Sequence, residues 1–455
     1  MERRLTSRKT PLFHRGKHSH NSYRILLWLL LLIPAVWFLL QTQRGQVKPL
    51  FMPTPTPTRV ANSYIQQAET YFAAGRVDDP NSQNDAIDTY KKALEIDPNN
   101  AEVWANLARI QTYSSNLLST QQQQKERMAE ALSSAAKAVE LAPESSFCHA
   151  IYTLALDWAA IYEPKADRQR LLNQVLDEAV RALQLDPNDG LALAFYAEVQ
   201  LDQQKWSEAQ QYAEQAVARQ PESMDVHRVY ATVLESLSAY RLAIEEYEKA
   251  AAITPNLTFL YIYIGVNYRH LQVFPKALEY FEKAVTINEQ LGIKDPLPYI
   301  SIAKTYSQMG EFFIAARNAE KALSFNPAEA NTYGQLGIIY FKSRNYESAI
   351  PALQCAVESC SAEENQTLQR LAEVNPSWQV EVVAVQGLPL DTVEIAYYYA
   401  MYGQALAYLS RPKTSFCPKA YEVLAKVRAA YPGEAVLMEI VNGSEEICRK
   451  IEGSP

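Results

Sequence analysis

From residue 61 onward the chain repeats itself with a period near 34 residues. Such a register restricts the fold more than composition does, because a unit of that length cannot bury its own apolar face and has to stack on its neighbours. Pro221 and Pro255 close the two cleanest copies, and Ala209 and Ala216 precede the first just as Ala243 and Ala250 precede the second. Nine copies align. Slot 8 holds Ala68, Ala108, Ala155, Ala197, Ala231, Gly265, Ala303, Gly337 and Gly403, small in every copy. Slot 20 holds Ala86, Ala131, Val175, Ala209, Ala243, Ala277, Ala315, Ala349 and Ala420. Slot 27 holds Ala93, Ala138, Ala182, Ala216, Ala250, Ala284, Ala322, Ala356 and Val427. Slot 32 is proline in seven copies, with Glu289 and Ser361 as the exceptions.

Small residues at three fixed slots mark places where helices cross so closely that little more than a methyl group fits. Large side chains fill either side, with Trp104, Tyr261, Tyr299 and Tyr333 at slot 4 and Tyr71, Tyr268, Tyr306 and Tyr340 at slot 11. Proline at slot 32 opens the turn into the next helix, where its missing N–H is not needed. With 14 glycines in 455 residues, a turn-rich β architecture is disfavoured. The columns resemble the tetratricopeptide repeat. That resemblance implies an all-α fold, an α-solenoid wound as a right-handed superhelix of about nine helix-turn-helix repeats. Repeats one to eight are expected over 61–360, an irregular insertion over 361–391, and the ninth repeat with a capping helix over 392–455. The Gly387-Leu-Pro-Leu390 stretch, with Tyr397–Tyr399 and Tyr402-Gly403 after it, is also similar to a family of membrane-anchored bacterial repeat proteins.

Departures from the period locate insertions. About six extra residues (Val77–Gln83) separate the helices of the first copy, and about eleven lie near Gln121–Gln124 in the second; the copies from Cys148 and Ala396 are also stretched. Inserted residues between helices are expected as loops on one face of the stack. Inside 361–391, Trp378–Val385 alternates like a short strand.

Ahead of the repeats, Ile25–Leu40 is a run of sixteen apolar positions, counting Pro34. It is read as a transmembrane signal anchor over 25–43, because no small-x-small pair follows it as a signal-peptidase site would require. Seven basic residues precede the run and three follow before residue 60, which places the basic tail 1–24 in the cytoplasm and the repeats outside it. His14, His18 and His20 belong to that solvated tail. The Pro/Thr alternation within 44–60 reads as an extended spacer. The net charge of −8 therefore hides opposed parts: residues 1–60 carry ten Lys and Arg against Glu2, and the remainder stands at −17. A body that acidic repels phosphate backbones, so no nucleic-acid partner is expected.

Five cysteines are too few for a disulfide-built fold. Cys417 and Cys448 straddle Pro432 almost evenly; if Pro432 turns the chain between antiparallel helices, the two come opposite each other and can bridge. Cys355 and Cys360 can pair only if a helix ends between them, and Cys148 reads as a buried free thiol.

The body carries no phosphate-binding glycine loop, nucleophile elbow, CxxC pair or HExxH run. No catalysis, cofactor, metal or small-molecule substrate is expected; the partners are a protein or peptide and, through the single-pass anchor, a membrane. In arrays of the resembled kind the first helix of each repeat lines a concave groove, which here assigns Arg109, Tyr113, Arg228, Glu235, Ile262, Arg269, His270, Lys304, Asn331, Lys342, Tyr397 and Tyr408 to partner binding. The family's carboxylate clamp, Lys at slot 5 with Asn at slot 9, is found in none of the copies: those slots read Ile65/Glu69, Ala105/Arg109, Arg228/Thr232 or Ile300/Lys304. The expectation is a scaffold that binds a protein outside the cytoplasm. The competing readings are a structural spacer or an accessory subunit of a cell-envelope complex.

Overall fold

The computed structural model describes residues 21–43, 59–79, 84–162 and 165–453. The chain divides into two compact units, one ending at Arg59 and one beginning at Val60. In the first unit, α1 (Ser22–Gln43) is a single helix that tolerates Pro34 in its interior. Its Ser22–Gln41 stretch has a mean hydropathy of 2.2. At about 1.5 Å per residue it reaches roughly the 30 Å of a hydrocarbon core, so it is long and apolar enough to cross a membrane. Most of the basic tail, with its three histidines, and nearly all of the Pro/Thr spacer lie outside the described residues.

Among the described residues, the second unit is helical throughout its regular structure. Nine helix pairs follow one another: α2 (Ala61–Ala73) with α3 (Ala86–Ile96), α4 (Ala101–Ser115) with α5 (Gln121–Leu141), and α6 (Ser146–Ala160) with α7 (Lys165–Leu185). Next come α8 (Gly190–Asp202) with α9 (Trp206–Arg219), α10 (Met224–Ser236) with α11 (Tyr240–Ile253), and α12 (Thr258–His270) with α13 (Phe274–Leu291). The C-terminal pairs are α14 (Leu297–Met309) with α15 (Phe312–Phe325) and α16 (Ala330–Lys342) with α17 (Tyr346–Glu358). After the short α18 (Gln366–Val374), the ninth pair is α19 (Val393–Leu409) with α20 (Cys417–Ala430), capped by α21 (Ala435–Glu452).

The small-residue columns sit where the helices cross. Every alanine and valine of slots 8, 20 and 27 is buried, none more than 2% exposed. A Cβ added at Gly265 would stand 2.5 Å from the Phe281 ring, and one at Gly337 would stand 2.5 Å from Leu353 Cγ. Replacing a helical glycine by alanine gains up to about 1 kcal/mol of propensity, whereas overpacking a crossing costs roughly 1–3 kcal/mol. The crossing wins.

Slot 4 needs a long side chain with a polar tip, and the reason lies in the turn. In five repeats the carbonyl of the turn proline meets the side chain six positions on: Trp104 Nε1 donates to Pro98 at 2.9 Å, Tyr261 Oη to Pro255 at 2.7 Å and Tyr333 Oη to Pro327 at 2.9 Å. His227 Nε2 meets the Pro221 carbonyl at 2.7 Å and His149 Nε2 the Pro143 carbonyl at 3.0 Å. Each such bond is worth about 1 kcal/mol and ties a repeat to the one before it. It also places His149 at slot 4 of the third copy, two residues off the register that assigns Ala155 to slot 8. Two residues after the proline, Asn100, Ser145, Asp189 and Ser223 cap the incoming helix by accepting its first free N–H groups. The period is visible even in the backbone: Gln204, Ser238, Gln272 and Arg344 take positive φ values near 60° at the turn within the fourth, fifth, sixth and eighth repeats, where Gly75 and Gly310 serve the first and seventh.

Two expectations are corrected. The extra residues of the second and third copies are not loops; they lengthen α5 and α7 to 21 residues each. The added Gln, Lys, Glu and Ala are good helix formers, and a Thr120/Gln123 capping box starts α5 cleanly. Trp378–Val385 is not a strand, since it pairs through Val385 alone, with Cys360 (N···O 2.9 and 3.0 Å). The open carbonyls at the end of α17 are satisfied from two elements: Leu388 N of the insertion donates to Ala356 O at 2.8 Å, and Tyr399 Oη of α19 donates to Val357 O at 2.8 Å. Disulfides join Cys355 to Cys360, across the end of α17 at Glu358, and Cys417 to Cys448, linking α20 to α21; Cys148 is buried and free.

Gly265→Ala is expected to lower stability by about 1–2 kcal/mol despite the gain in helix propensity; chemical denaturation of the two proteins checks it. A second expectation concerns His227, whose Nδ1 pairs with Glu246 at 2.6 Å. That hydrogen bond, with the Pro221 carbonyl on the other ring nitrogen, raises the imidazolium above its ordinary pKa in spite of burial. Burial pushes the Glu246 carboxyl up, but the hydrogen bonds from His227 and Lys249 hold it below its ordinary value. The histidine term is full below pH 6.5 and fades as pH rises through its raised pKa; the glutamate term is full above pH 4.5 and fades as pH falls through its lowered one. The stability difference between wild type and His227→Gln should therefore peak between pH 4.5 and 6.5 and shrink on either side when denaturation is followed across pH.

Candidate partner-binding surface

First helices of successive repeats line the inner face, and the structure divides that face into a filled part and an open part. In the filled part, α2, α4, α6, α8, α10 and α12 converge on Asp225. Arg109 Nε donates to both carboxylate oxygens of Asp225, at 2.9 and 3.1 Å, although 116 residues separate them in sequence. Tyr113 Oη donates to the same carboxylate. Arg228, on the next turn of α10, makes a bidentate pair with Glu198 of α8 at 2.8 and 2.9 Å. Its guanidinium lies 5.8 Å from the Tyr113 ring and 5.6 Å from the Trp158 ring. Phe259 stacks on Tyr113 at 5.6 Å and Trp158 meets it edge-on at 5.5 Å.

Tyr113, Asp225 and Arg228 are 0%, 2% and 3% exposed. The groove assignment of Arg109, Tyr113 and Arg228 is thus corrected: their polar groups are taken up by Asp225 and Glu198, and they clamp the solenoid upon itself. Burial alone would raise the Asp225 carboxyl, but the Arg109 charge and its hydrogen bonds hold it below the usual range. At the rim of the same closure, Asn256 Nδ2 donates to Ala73 O at 3.1 Å, and Asn326 donates to Ser119 O. Each joins a turn to one about five repeats away.

Between the clamp and the open part lies an acidic recess of about 390 Å³, lined by Asp157, Glu198, Asp202 and Glu235 with Trp158 and Tyr263. Glu235 is half-buried and accepts from Tyr247 at 3.2 Å and Asn267 at 3.0 Å. Burial, and then the facing charges of Asp202 and Glu198, push Asp157 well up. Asp157 escaped the sequence reading because its copy is stretched and its register shifted.

In the open part, α12, α14 and α16 bring Arg269, Lys304 and Lys342 around one pocket of about 210 Å³, together with Ser307, Gln308, Gln335, Ile338 and Ile339. None of the three cations forms an ion pair among the described residues, although Arg269 approaches the Ser301 carbonyl at 3.4 Å and the Phe281 ring at 5.9 Å. Burial lowers the Lys304 ammonium, and the Arg269 charge lowers it further; burial also lowers Arg269. Sequence reading identified the three cations but not Gln335 and Ile338, which lie on either side of Gly337 on α16 and line the same pocket.

The remaining assigned residues are scattered. Ile262 is buried and His270 stacks on Tyr240 at 4.9 Å. Asn331 accepts from Tyr398 at 2.5 Å, Tyr397 is half-buried, and Tyr408 packs against Phe341 and Tyr346.

Nine stacked helix pairs with an inner face of this kind define a helical-repeat scaffold suited to protein–protein interaction. Tetratricopeptide repeat models match residues 196–258 and 330–362, and with the 34-residue register this makes the chain a tetratricopeptide repeat protein. Residues 64–198 match the model described as regulator of microtubule dynamics protein 1-3. No curated relative matches by sequence. Among solved structures, the Cut9-Hcn1 hetero-tetramer of APC/C is similar over 89% of this chain and 81% of that one, at 15% identity and a TM-score of 0.47. The type IV pilus biogenesis factor PilW is similar over 48% of this chain and 98% of its own, at 20% identity and a TM-score of 0.39. For Pseudomonas aeruginosa PilF the figures are 50% and 95%, at 18% identity and a TM-score of 0.36.

Asp225→Asn keeps the shape but leaves Arg109 buried without its counter-charge, a change that costs roughly 3–5 kcal/mol. Denaturation should show that loss, and limited proteolysis should show new cleavage at the Gly75 turn, which closure brings against Asn256.

Proposed function

We propose that this chain is a non-enzymatic, single-pass membrane scaffold that binds a protein or peptide partner outside the cytoplasm through the open part of its inner face. The observation that carries the reading is the division of that face: the part from α12 to α16 keeps polar and charged groups accessible, while the clamp closes the part around Asp225. The anchor rests on α1, which is long and apolar enough to span. The excess of basic residues ahead of it favours an N-terminus in the cytoplasm. The two disulfides support an oxidising compartment for the repeats, because such bonds are rare in reducing cytosol.

A second reading has one observation in its favour. Phe313, in the first turn of α15, is 87% exposed, and Met309 at the end of α14 and Ile314 of α15 are exposed as well. Exposed apolar residues of that kind suit lateral packing in an envelope assembly.

A photo-crosslinking residue at Gln308 in the full chain, expressed in its native membrane, is expected to capture a discrete protein, while the same residue at Lys137 of α5 captures none. Equal capture at both positions, or none at Gln308, would favour the spacer. Thiol counting on the same membranes without reductant should find one free cysteine, Cys148; five would place the repeats in the cytoplasm.

A further inference from the structure

Resting on the docking role of the open inner face, we propose that the pocket between repeats six, seven and eight binds a carboxylate of an extended peptide segment in the partner. Arg269, Lys304 and Lys342 come from three successive first helices and converge there. Elsewhere on the inner face a cation has its carboxylate: Arg109 has Asp225 and Arg228 has Glu198. These three do not, in a body whose net charge is −17 from residue 61 onward. Arg269 and Lys304 are half-buried and Lys342 stands exposed at the mouth; holding like charges together at such a site is unfavourable unless an anion relieves it. The charge that Lys304 senses from Glu394 does not reach ion-pair distance.

The rest of the pocket favours a peptide over other anions. Gln308 and Gln335 supply donors and acceptors that match backbone amides, and Ile338 with Ile339 gives an apolar floor. At about 210 Å³ it is smaller than the roughly 300 Å³ at which small-molecule sites begin, so it admits a side chain or chain end with the remaining ligand lying along the face. A polyphosphate or nucleic acid would carry its excess charge against the acidic recess and body. The three cations occupy slots 12, 9 and 13, so they do not recreate the Lys-5/Asn-9 arrangement that the chain lacks.

The test uses the full chain in detergent and three labelled pools of short random peptides, rich in Asp/Glu, in Asn/Gln or in Lys, followed by fluorescence anisotropy. The acidic pool should bind tightest, more weakly as salt rises, and about tenfold or more less tightly to the Lys304→Gln/Lys342→Gln double variant. The Lys304→Arg/Lys342→Arg variant should restore binding, which separates lost charge from misfolding. Equal binding of the amide pool, unchanged binding to the double Gln variant, or no binding of the acidic pool would overturn the proposal. Capture of a partner at Gln308 in membranes together with any of those results would show that the face docks a protein by other chemistry. Failure of capture would instead remove the docking role itself.

Discussion

Asp225 is the residue on which the shape of the inner face depends. A carboxylate buried among helices from six repeats is tolerable only because Arg109 and Tyr113 reach it from the second repeat, and their contacts in turn draw α4 across the superhelix onto α10. The aromatic rings of Tyr113, Trp158 and Phe259 close around the pair and exclude water, which strengthens each charge contact. An open solenoid groove would expose these groups along its whole length. Here a closed clamp is followed by an open stretch, and recognition is confined to the latter.

The repeat architecture was legible because its constraint is local and periodic. A crossing that admits little more than alanine or glycine writes itself into the sequence every 34 residues, as Ala231 with Gly265 and Ala303 with Gly337 show, and the proline at slot 32 marks most of the turns. The clamp was not legible in the same way. Arg109 and Asp225 each look like an ordinary surface residue on a first helix, and their pairing follows from how far the stack winds over three repeats, which no single copy encodes. Burial therefore inverted the meaning of Tyr113 and Arg228, while Arg269, Lys304 and Lys342, beyond the clamp, kept accessible positions. The long α5 and α7 show a similar limit, because an alignment records inserted residues without saying that they continue a helix.

Charge follows the same division. Asp157, Asp202 and Glu235 face the acidic recess, and three cations without ion pairs among the described residues line the next pocket along. This change of sign over neighbouring repeats gives the inner face a direction, so that an extended ligand has one favourable polarity. The C-terminal repeats are braced by Leu388 of the insertion and Tyr399 of α19, which satisfy carbonyls at the end of α17, and by the Cys417–Cys448 disulfide between α20 and α21. Bracing of that kind holds the pocket's walls in place before a ligand arrives.

The closure of the solenoid through Asp225 is tested most directly by the spacing of two turns that lie far apart in sequence. Nitroxide labels on Ala74 and Pro255, flanking the Asn256–Ala73 contact, should show strong dipolar broadening in the wild-type chain and lose it when Asp225→Asn is introduced. Labels that do not interact in the wild type would mean that the solenoid is open, and that the inner face is a continuous groove with no clamp.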